Sequence, residues 1–564
     1  MSDRKSVGVA LAVSGLDMAP ELLAYVEQVV VDEDLHRPAM FAITMVDPRH
    51  DIIERSHVKV GVEIEIATVG QGADDERPLL TGDVVAMECE YDQLGTRIVL
   101  RGYAKSHRLH RGRRTRIFQD MTDSDIVEKV AGEARLDIGD IEATSEVHEH
   151  VSQANVSDWE FLTDRAKVVG LDLTVVDGQL TFGKRSTSDG APSEFGTDAR
   201  HLRFGSNLET FHGRLSGADQ APDVQVRGWD QDKKQPVTST ASAGTEAAAV
   251  DGTDPTELAG YFSAPTFVEV SSPVRSEREA EETAKALAER IGSAFAEAEG
   301  TARGSTALRA GAAVRVSGVS GPFNGTYVLT KVRHVLNARG YRSHFTVSGR
   351  NDRSLLGLVT GSGNGNGNGH GDGLAGSRAP GFVRGLVADI VDPDRLGRVK
   401  VKFPWLDEKY SSAWAPVMQL GAGPESGTFF LPAVDDEVLV GFEQGRIDRP
   451  IVVGGLFNKT DKPPNYGQWL DDGAVTGRGI VSRKGHKVTF HDADDIFGVH
   501  IVAVDSGKES AVTIGLNGKD KKLVVQSMGD VDVDAMGDVT LKGAKVTVQA
   551  TGELVLKGAT VKIN

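Results

Sequence analysis

The C-terminal end of the chain repeats a short apolar pattern that few folds can satisfy. Pairs of apolar residues, each pair separated by one residue, recur every seven or eight positions, and glycines stand at most of the joints. Two residues at i and i+2 of a strand point to the same face. A unit this small cannot bury that face alone, so the repeat predicts stacked strand pairs in a thin rod that partner chains complete. The six pairs are Leu523/Val525, Val531/Val533, Val539/Leu541, Val546/Val548, Leu554/Leu556 and Val561/Ile563.

Composition limits the rest of the chain. Its 564 residues are 39% hydrophobic and 26% charged, which is ordinary for a soluble protein and enough for roughly three to five domains. The net charge of −18 argues against nucleic acid as the main partner. Cys89 is the single cysteine, so no intramolecular disulfide can form, which fits folding in a reducing cytoplasm. We see neither a secretory signal nor the ~20-residue apolar run of a membrane helix.

Strand and helix patterns alternate before this repeat. Residues 7–104 read as β-rich, and helices are predicted over 123–134, from Ser157 onward and over 276–299. Segment 236–256 is rich in small polar residues and predicts surface loops. The sequence GSGNGNGNGHGDG at 361–373 is typical of a flexible tether.

The region after the tether predicts a small closed barrel. Five short strands in fewer than 80 residues suit an OB-type barrel, and a less regular section follows up to about residue 505. The predicted strands are Gly385–Val391, Arg398–Phe403, Trp414–Met418, Glu437–Phe442 and Ile451–Leu456.

Three blocks of this barrel region resemble a known family. They are GRVKVKFPW (397–405), WAPV (414–417) and DDEVLVGFEQGRIDRPIVVGGLFN (435–458), and they resemble the OB-fold domain of VgrG proteins, the valine-glycine-repeat spikes of type VI secretion. The motif residues, to which the resemblance gives a structural role, are Gly397, Arg398, Val399, Phe403, Pro404, Trp405, Trp414, Asp436, Val438, Gly441, Asp448, Arg449 and Pro450.

Upstream segments extend the resemblance over nearly the whole chain. ANVSDWEFLTDRAKVVGLDLTVVDGQLTFG (154–183) and FNGTYVLTKVRH (323–334) are similar to the phage-hub-like part of VgrG. The resemblance implies a mainly β fold with some α in five regions. They are a phage-tail-hub-like region of two β-barrel domains with helical insertions (1–356), a Gly/Asn-rich linker (357–380), an OB-fold barrel (381–458), a connector (459–510) and a trimeric, triple-stranded β-helix needle (511–564).

The resemblance also implies a mechanical function. The chain would be the trimeric hub-spike at the tip of a contractile injection apparatus, with the apolar pairs as needle core and trimer interface. Its implied partners are two further copies, inner-tube and baseplate proteins, a PAAR-like tip cap and the target cell envelope, without nucleic acid. The tether is longer and looser than the family leads us to expect. The short repeat looks more like an extracellular injection particle or a phage-like tail than a type VI spike with an effector, although a type VI or contractile-phage spike remains an alternative. Assembly would take place in the bacterial cytoplasm, and the particle could stay there or be released.

Motifs that suggest other chemistry lack the residues that this chemistry needs. Asp530, Asp532 and Asp534 imitate an EF-hand loop, but Ala535 and Leu541 stand where its Gly and Glu belong. The glycines of the tether open no helix, as a dinucleotide site would require. The sequence therefore predicts no catalytic, cofactor or metal site.

Two other interpretations have less support in the sequence. The basic run at 105–116 is more typical of pairing with an acidic surface, on this chain's neighbours or a tube subunit, than of nucleic-acid binding. The alternative of a cell-wall-degrading spike needs a cleft with paired carboxylates. Residues 459–505 are too few to form one.

Overall fold

The computed structural model describes most of the chain, in two compact units that span residues 1–456 and 457–564. Among the residues described, no helix is long and apolar enough to cross a membrane. The predicted linker at 357–380 lies outside them. The described residues are 8–69, 78–93, 95–176, 178–230, 233–270, 274, 276–350, 381–464, 466–493, 497–507 and 509–562.

Residues 8–350, which we call the hub region, alternate strands with short helices. In chain order the elements are β1 (Gly8–Val13), β2 (Leu16–Asp17), α1 (Pro20–Leu23), β3 (Val26–Asp34), β4 (Arg37–Val46), α2 (Ile52–Ser56), β5 (Glu63–Val69), β6 (Leu80–Asp92), β7 (Gly95–Ala104), β8 (Arg114–Phe118), α3 (Asp123–Glu133), β9 (Asp137–Ile141), β10 (Val151–Val156), α4 (Asp158–Val168), β11 (Asp172–Val176), β12 (Gln179–Gly183), β13 (His201–Arg203), β14 (Leu208–Leu215), β15 (Asp223–Asp230), β16 (Gln235–Ser242), β17 (Ala248–Val250), α5 (Pro255–Tyr261), β18 (Phe267–Glu269), α6 (Glu277–Ser293), β19 (Ala296–Arg303), β20 (Ala313–Ser317), β21 (Gly325–Val328), β22 (Lys331–Asn337) and β23 (Gly340–Val347).

The rest of the described chain is almost entirely β. Its elements are β24 (Phe382–Asp389), β25 (Lys400–Lys402), β26 (Ala422–Gly423), β27 (Ser426–Gly427), β28 (Glu437–Phe442), β29 (Pro450–Gly455), α7 (Tyr466–Trp469), β30 (Leu470–Asp471), β31 (Ala474–Val475), β32 (Gly477–Val481), β33 (Lys487–His491), β34 (Gly498–Val504), β35 (Ser510–Asn517) and β36 (Lys522–Ser527).

One antiparallel sheet of eleven strands organises the hub region. Its order is β14-β19-β23-β22-β3-β4-β7-β6-β5-β1-β2. The early and late parts of the hub region meet where β22 pairs with β3, from Lys331 opposite Asp34 to Asn337 opposite Gln28. Apolar side chains on one face of the sheet, such as Val31 and Phe41, form buried cores. The sheet therefore joins two halves that are far apart in sequence.

The two halves of this sheet repeat one strand arrangement. Strands β3-β4-β7-β6 correspond to β14-β19-β23-β22, and the start of β6 pairs with β5 as β21 pairs with β20. Both halves have a register shift at the same place, between Val26 and Gln28 and between Leu208 and Thr210. The hub region thus contains an internal structural duplication.

Equivalent side chains make equivalent contacts in the two halves. Arg97 donates to Glu27 at 2.8 Å, and Arg342 donates to Glu209 at the same distance. The ion pairs occupy matching positions, because Arg97 lies two residues after Gly95 as Arg342 does after Gly340. Both glycines close a two-residue hairpin turn with positive φ, where glycine avoids the steric cost of a Cβ. The correspondence therefore extends to single residues.

Two smaller α/β modules interrupt the sheet. The first, residues 105–198, has α3 and α4 packed with short sheets around a core that includes Phe118, Leu162 and Phe182. Both helices start where the sequence predicts, and the Thr122 and Ser157 hydroxyls each accept a hydrogen bond from a backbone N–H of the first turn. The second module packs α6 on the β16-β15-β18 sheet.

The structure corrects two expectations in this region. The predicted loops at 236–256 contain most of β16 and all of β17, because Val237 and Ala248 alternate inward into cores that the sequence window does not reveal. The helix predicted to end near Glu299 ends at Ser293. Phe295 enters the core from the turn between this helix and β19.

Residues 381–456 form the predicted closed barrel. β24 lies between β25 and β28, and β28 pairs with β29. The expected strand at 414–418 is not continuous, but it closes the barrel through two bridges, Val399 to Ala415 and Val417 to Val452. Val399, Phe403, Val438 and Val452 are completely buried. Closure leaves this sheet without a free edge.

The second unit contains a structure that the sequence patterns did not predict. The segment expected to be irregular, 459–505, holds most of a five-stranded antiparallel sheet, β32-β33-β34-β35-β36. Leu523 and Val525, the first predicted needle pair, lie in β36 and pair with β35 of the same chain. In the described residues 528–562 of the single chain there is no strand pairing, and Ile563 lies outside the description. The stacked repeat itself therefore stays a prediction.

A buried polar cluster lies at the junction of the two hub halves. His334 of β22 has no exposed surface, and its Nδ1 lies 2.9 Å from Tyr341 Oη and 3.1 Å from Ser343 Oγ. Arg309 pairs with the buried Glu33 of β3 at 2.8 Å. Burial lowers the pKa of His334 to about 3, so its imidazole is neutral in the folded protein at neutral pH.

We expect this histidine to make the hub region sensitive to acid. In the unfolded chain this histidine binds a proton near pH 6.5, whereas in the folded chain it stays neutral down to much lower pH. Above pH 6.5 this site therefore does not lower the free energy of unfolding. The free energy of unfolding falls by about 1.4 kcal/mol per pH unit below that value, down to the folded pKa. His334→Gln should therefore lose less melting temperature than the wild type between pH 7 and pH 5. Replacing the exposed His57 by Asn is the control, and equal losses in the His334 variant and the wild type would contradict the assignment.

Candidate interaction surfaces

The OB motif residues fall into a buried set and a surface set. Val399, Phe403 and Val438 fill the barrel core, and Pro450 is buried at the start of β29. Gly441 lies under the Phe382 ring, 3.1 Å from where a Cβ would stand, so a side chain there would displace the ring. These motif residues therefore have a structural role, because they pack the barrel core.

A charged turn precedes β25. Arg398 donates to both oxygens of Asp392 and also contacts Asp394. The hydrogen bonds from Arg398 hold the pKa of Asp392 well below its usual range. Gly397, with φ of +72°, supplies the left-handed backbone before this arginine. Asp436 fixes a second turn, since its Oδ2 accepts a hydrogen bond from the Ala433 N–H at 2.8 Å.

The remaining motif aromatics lie on the barrel surface. Trp405 is half exposed and donates from Nε1 to the Arg384 carbonyl at 2.9 Å, next to the exposed Pro404. Lys400 Nζ lies 5.0 Å from the centre of the Trp414 ring, a cation–π distance. These contacts fix the aromatic rings against the barrel wall.

The barrel is attached to the hub region by polar contacts. Arg449 donates to Glu279 of α6 at 3.1 Å, and Gln444 donates to the Val270 carbonyl at 3.2 Å. Tyr410 Oη lies 2.7 Å from Ser152 Oγ of β10. The motif residues Arg449 and Asp448 are thus a junction between domains.

Asp448 stays ionised at this junction. Burial by itself would raise the pKa of the carboxyl group, but Arg446, 2.8 Å away, lowers it to about 2. Nearby, burial lowers the pKa of His150 to about 4, so this imidazole is neutral at pH 7. The junction therefore combines fixed ion pairs with a neutral histidine.

One face of the five-stranded sheet in the second unit is apolar and open. A single row crosses all five strands, from Ile480 to Val488, Ile501, Ile514 and Val525. Their side chains are 36–55% exposed. A second row, next to the first on this face, consists of Phe490, Val499, Leu516 and Leu523. A soluble sheet normally buries such a face, so this one marks an interaction surface.

The single chain leaves the residues predicted as needle core exposed, as expected for a repeat that only partner chains can cover, and their burial stays a prediction. The described members of the six pairs are all 50–76% exposed, because a strand pair without a stacked neighbour has nothing to cover its apolar face. Burial between copies, which the prediction requires, is a property of an assembly. The exposed members are Leu523, Val525, Val531, Val533, Val539, Leu541, Val546, Val548, Leu554, Leu556 and Val561.

The aspartates at the start of the repeat form no metal site in the single chain. Asp530, Asp532 and Asp534 alternate with Val531 and Val533. In the described part of the chain no cluster of three or more His, Cys, Asp or Glu side chains could hold a metal ion.

The basic run at 105–116 is paired with acidic residues of its own chain. Arg108 contacts Asp83 at 3.0 Å, and Arg116 contacts the buried Asp158 at 2.7 Å. Lys105 pairs with Glu63 at 2.8 Å. Partners on a neighbouring chain are therefore not needed to explain these three cations.

Sequence reasoning did not find two of these surfaces. The apolar sheet face has a signal, since Val512, Ile514 and Leu516 alternate with smaller or polar residues, as in a strand with one apolar face. The contacts between barrel and hub region have no local signal, because Arg449 and Glu279 are separated by 170 positions.

Two family models match the chain. The "Alg8 N-terminal domain" matches residues 3–338, and the "Type VI secretion system/phage-baseplate injector OB domain" matches residues 383–457. The second match coincides with the closed barrel described above.

Curated relatives match a short part of the chain. The type VI secretion system spike protein VgrG2a of Pseudomonas aeruginosa is 37% identical over 86 residues, 14% of this chain and 10% of its own length. VgrG3 of Vibrio cholerae is 37% identical over 92 residues, 14% and 9% of the two chains. This chain thus spans about a tenth of the length of the relatives it matches. These matches confirm the predicted resemblance to VgrG spikes.

A solved structure supports the fold over a larger part. The half-lidded Francisella PdpA-VgrG complex contains a chain that matches 93% of this one and is itself covered to 89%, with a TM-score of 0.54 and 8% identity. At that identity the match shows the fold alone. It agrees with the predicted mainly β, hub-and-barrel architecture.

The Arg449 contact can be tested by substitution. Arg449→Met should destabilise the first unit by about 1–2 kcal/mol, because it removes a charged hydrogen bond from partly buried carboxylates. Arg384→Met breaks a pair with Glu437 on the same barrel in which the guanidinium itself is 71% exposed and hydrated, so it should cost less than about 0.5 kcal/mol. Urea unfolding measures both variants, and equal losses would show that Arg449 does not hold the junction.

Proposed function

Because the chain belongs to the family of the Alg8 N-terminal domain and carries an injector OB domain, we propose that it is the hub and spike of a contractile injection apparatus. In this function three copies assemble around one axis. The hub regions connect to the inner tube, the barrels follow, and the C-terminal repeats form a common needle. Sheath contraction would supply the work, and the rigid point would concentrate it on a target envelope.

The open apolar face of the second unit is the observation that carries this proposal. Two rows of Val, Ile, Leu and Phe side chains are exposed on β32–β36. The apolar residues of the repeat, such as Val548, Leu556 and Val561, are exposed as well. Burying each such side chain contributes about 1.5–3 kcal/mol, so assembly of several copies is strongly favoured. The number three rests on the resemblance to the triple-stranded needle of VgrG.

The internal duplication of the hub region supports attachment to a tube. Two equivalent half-sheets in each of three copies make six similar units around the axis, which suits a six-fold ring of tube subunits. We propose inner-tube and baseplate proteins as partners on this side, and a PAAR-like cap on the needle side. The particle would assemble in the bacterial cytoplasm and could act there or after release.

We further propose that the chain acts without catalysis. The relatives are spike proteins, although one is called an actin cross-linking toxin, VgrG1 of Vibrio cholerae, with 36% identity over 92 residues. The charged clusters described above are ion pairs that join elements of the fold. None lies in a cleft with the paired carboxylates of a glycan hydrolase.

The needle can be tested by charging its core. Val546→Asp combined with Leu554→Asp should abolish trimers, since six carboxylates would be buried along one axis. Sedimentation of the purified full chain measures the mass. A stable trimer in this variant would show that the repeat does not hold the assembly together.

The sheet face has its own test with a matched control. Ile514→Asp places a charge in the apolar row. We expect it to raise the protein concentration at which half of the chains are trimeric by at least tenfold. Thr513→Asp adds the same charge on the opposite face of β35 and should leave the mass unchanged. Equal effects of both variants would contradict burial of the apolar face.

A further inference from the structure

We propose that neighbouring copies pair edge to edge in the hub region, through Met87–Tyr91 of β6 in one copy and Phe211–Leu215 of β14 in the next. The inference rests on the proposed function, since it requires more than one copy of the chain. It goes beyond that function because it names the strands and the register of a contact between copies.

Both strands have an open edge within the described residues. β6 pairs with β5 only from Leu80 to Asp83, and a register shift follows at Val85. From Ala86 onward its described pairing is with β7 alone. β14 ends the eleven-stranded sheet and pairs along this stretch with β19 alone. Open backbone edges of this length are ready to accept another strand.

The duplication gives β6 an equivalent strand whose edge is filled. Asp92 opposite Gly95 closes the β6–β7 hairpin as Asn337 opposite Gly340 closes the β22–β23 hairpin. Counting back from these turns, Glu88 corresponds to Arg333 of β22. The outer edge of β22 is occupied by β3, from Lys331 to Asn337. The outer edge of β6 is the same edge without its partner.

The duplication also assigns β14 as the equivalent of β3. The shared register shifts align Leu208 with Val26 and Thr210 with Gln28. Counting forward, Arg214 corresponds to Asp32, which lies opposite Arg333 in the internal junction. The missing partner of β6 is therefore β14, which must come from another copy because its own copy's β14 lies at the far end of the sheet.

The side chains that this register brings together are complementary. Glu88 of β6 would lie opposite Arg214 of β14. The internal junction has the opposite arrangement, with the cation Arg333 on β22 and the anion Asp32 on β3. A second carboxylate of β6 would lie opposite a histidine. Apolar side chains meet at two further positions, and the glycine lies opposite the small Cys89. The register was derived from the backbone alone, so this agreement is an independent observation. The pairs are Met87–Leu215, Glu88–Arg214, Cys89–Gly213, Glu90–His212 and Tyr91–Phe211.

Side chains at the internal junction are buried, whereas their equivalents at the open edges of β6 and β14 are exposed or half-buried. Leu336 and Val29, the equivalents of Tyr91 and Phe211, are 4% and 0% exposed. Tyr91 is 63% exposed and Phe211 is half-buried in the single chain. Pairing with a neighbouring copy would cover both aromatic rings. Three such contacts would join the half-sheets of three copies into one ring of six.

Cross-linking of the full chain tests the register. Opposite residues on neighbouring strands have Cβ atoms about 4.5–5.5 Å apart. Glu90→Cys with His212→Cys, in a Cys89→Ser background, should therefore give covalent dimers and trimers with a short thiol-reactive linker. Glu65→Cys with His212→Cys is the control, because β5 is paired on both sides and Glu65 cannot reach an edge.

Sedimentation of the same variants before cross-linking separates this inference from the proposed function. A trimer that cross-links no better than the control overturns the edge pairing and leaves the needle-based trimer in place. A monomeric chain contradicts the proposed function, and the pairing with it. Trimers with efficient cross-linking only in the Glu90–His212 variant support both.

A charge exchange gives a second test in the same background. Glu88→Lys or Arg214→Glu alone should lower the cross-linked yield about fivefold, since like charges then face each other. The double variant should restore it. Glu88 also pairs with Arg101 of its own chain at 2.8 Å, but loss of that pair would not be rescued by Arg214→Glu. Failure of the rescue would overturn the pairing, and Glu65→Lys serves as the unchanged control.

Discussion

The antiparallel contact between β22 and β3 is the interaction on which the hub region depends. It joins residues some 300 positions apart along seven consecutive pairs, and it turns two half-sheets into one. The buried His334 lies on one of the two strands that this contact joins, β22, and Glu33, which pairs with Arg309, lies on the other, β3. The same contact also defines what an open edge of this sheet needs, which is a strand with the geometry of β3.

The barrel has no such need, because it closes on itself. Its core is complete in one chain, and most residues of its family motif pack in that core or stabilise its turns. The barrel contacts the hub region through polar side chains, only some of them charged. Arg449, Gln444 and Tyr410 attach it to the hub region through hydrogen bonds that a hydrophobic pattern would not reveal. In the proposed spike, such directional contacts would fix the orientation of the barrel on the hub region.

The second unit is incomplete in one chain for a different reason. Its β-sheet has one apolar face, and the apolar pairs that follow have no partner in the described chain. Exposure of this much apolar surface to water is unfavourable. In the proposed trimer, assembly would be part of folding, and the stability of the spike would depend on the concentration of the chain. Hub and needle would thus be held together by two distinct means, strand edges in the first unit and apolar faces in the second.

Local patterns in the sequence determined much of this protein. The helix starts near Thr122 and Ser157, four of the five barrel strands and the apolar period of the repeat could be read directly, because capping and alternation are effects of neighbouring residues. The family blocks added the domain order. The strands within 236–256 escaped, since small and polar residues form strands there only when distant elements supply the other face. Those within 477–504 escaped although their apolar residues alternate, because the strands are short and lie between segments rich in glycine and charged residues. The duplication, the β22–β3 contact and the open edges of β6 and β14 were decided by tertiary structure alone. Strand pairing depends on the geometry of residues hundreds of positions apart, and no local pattern encodes it.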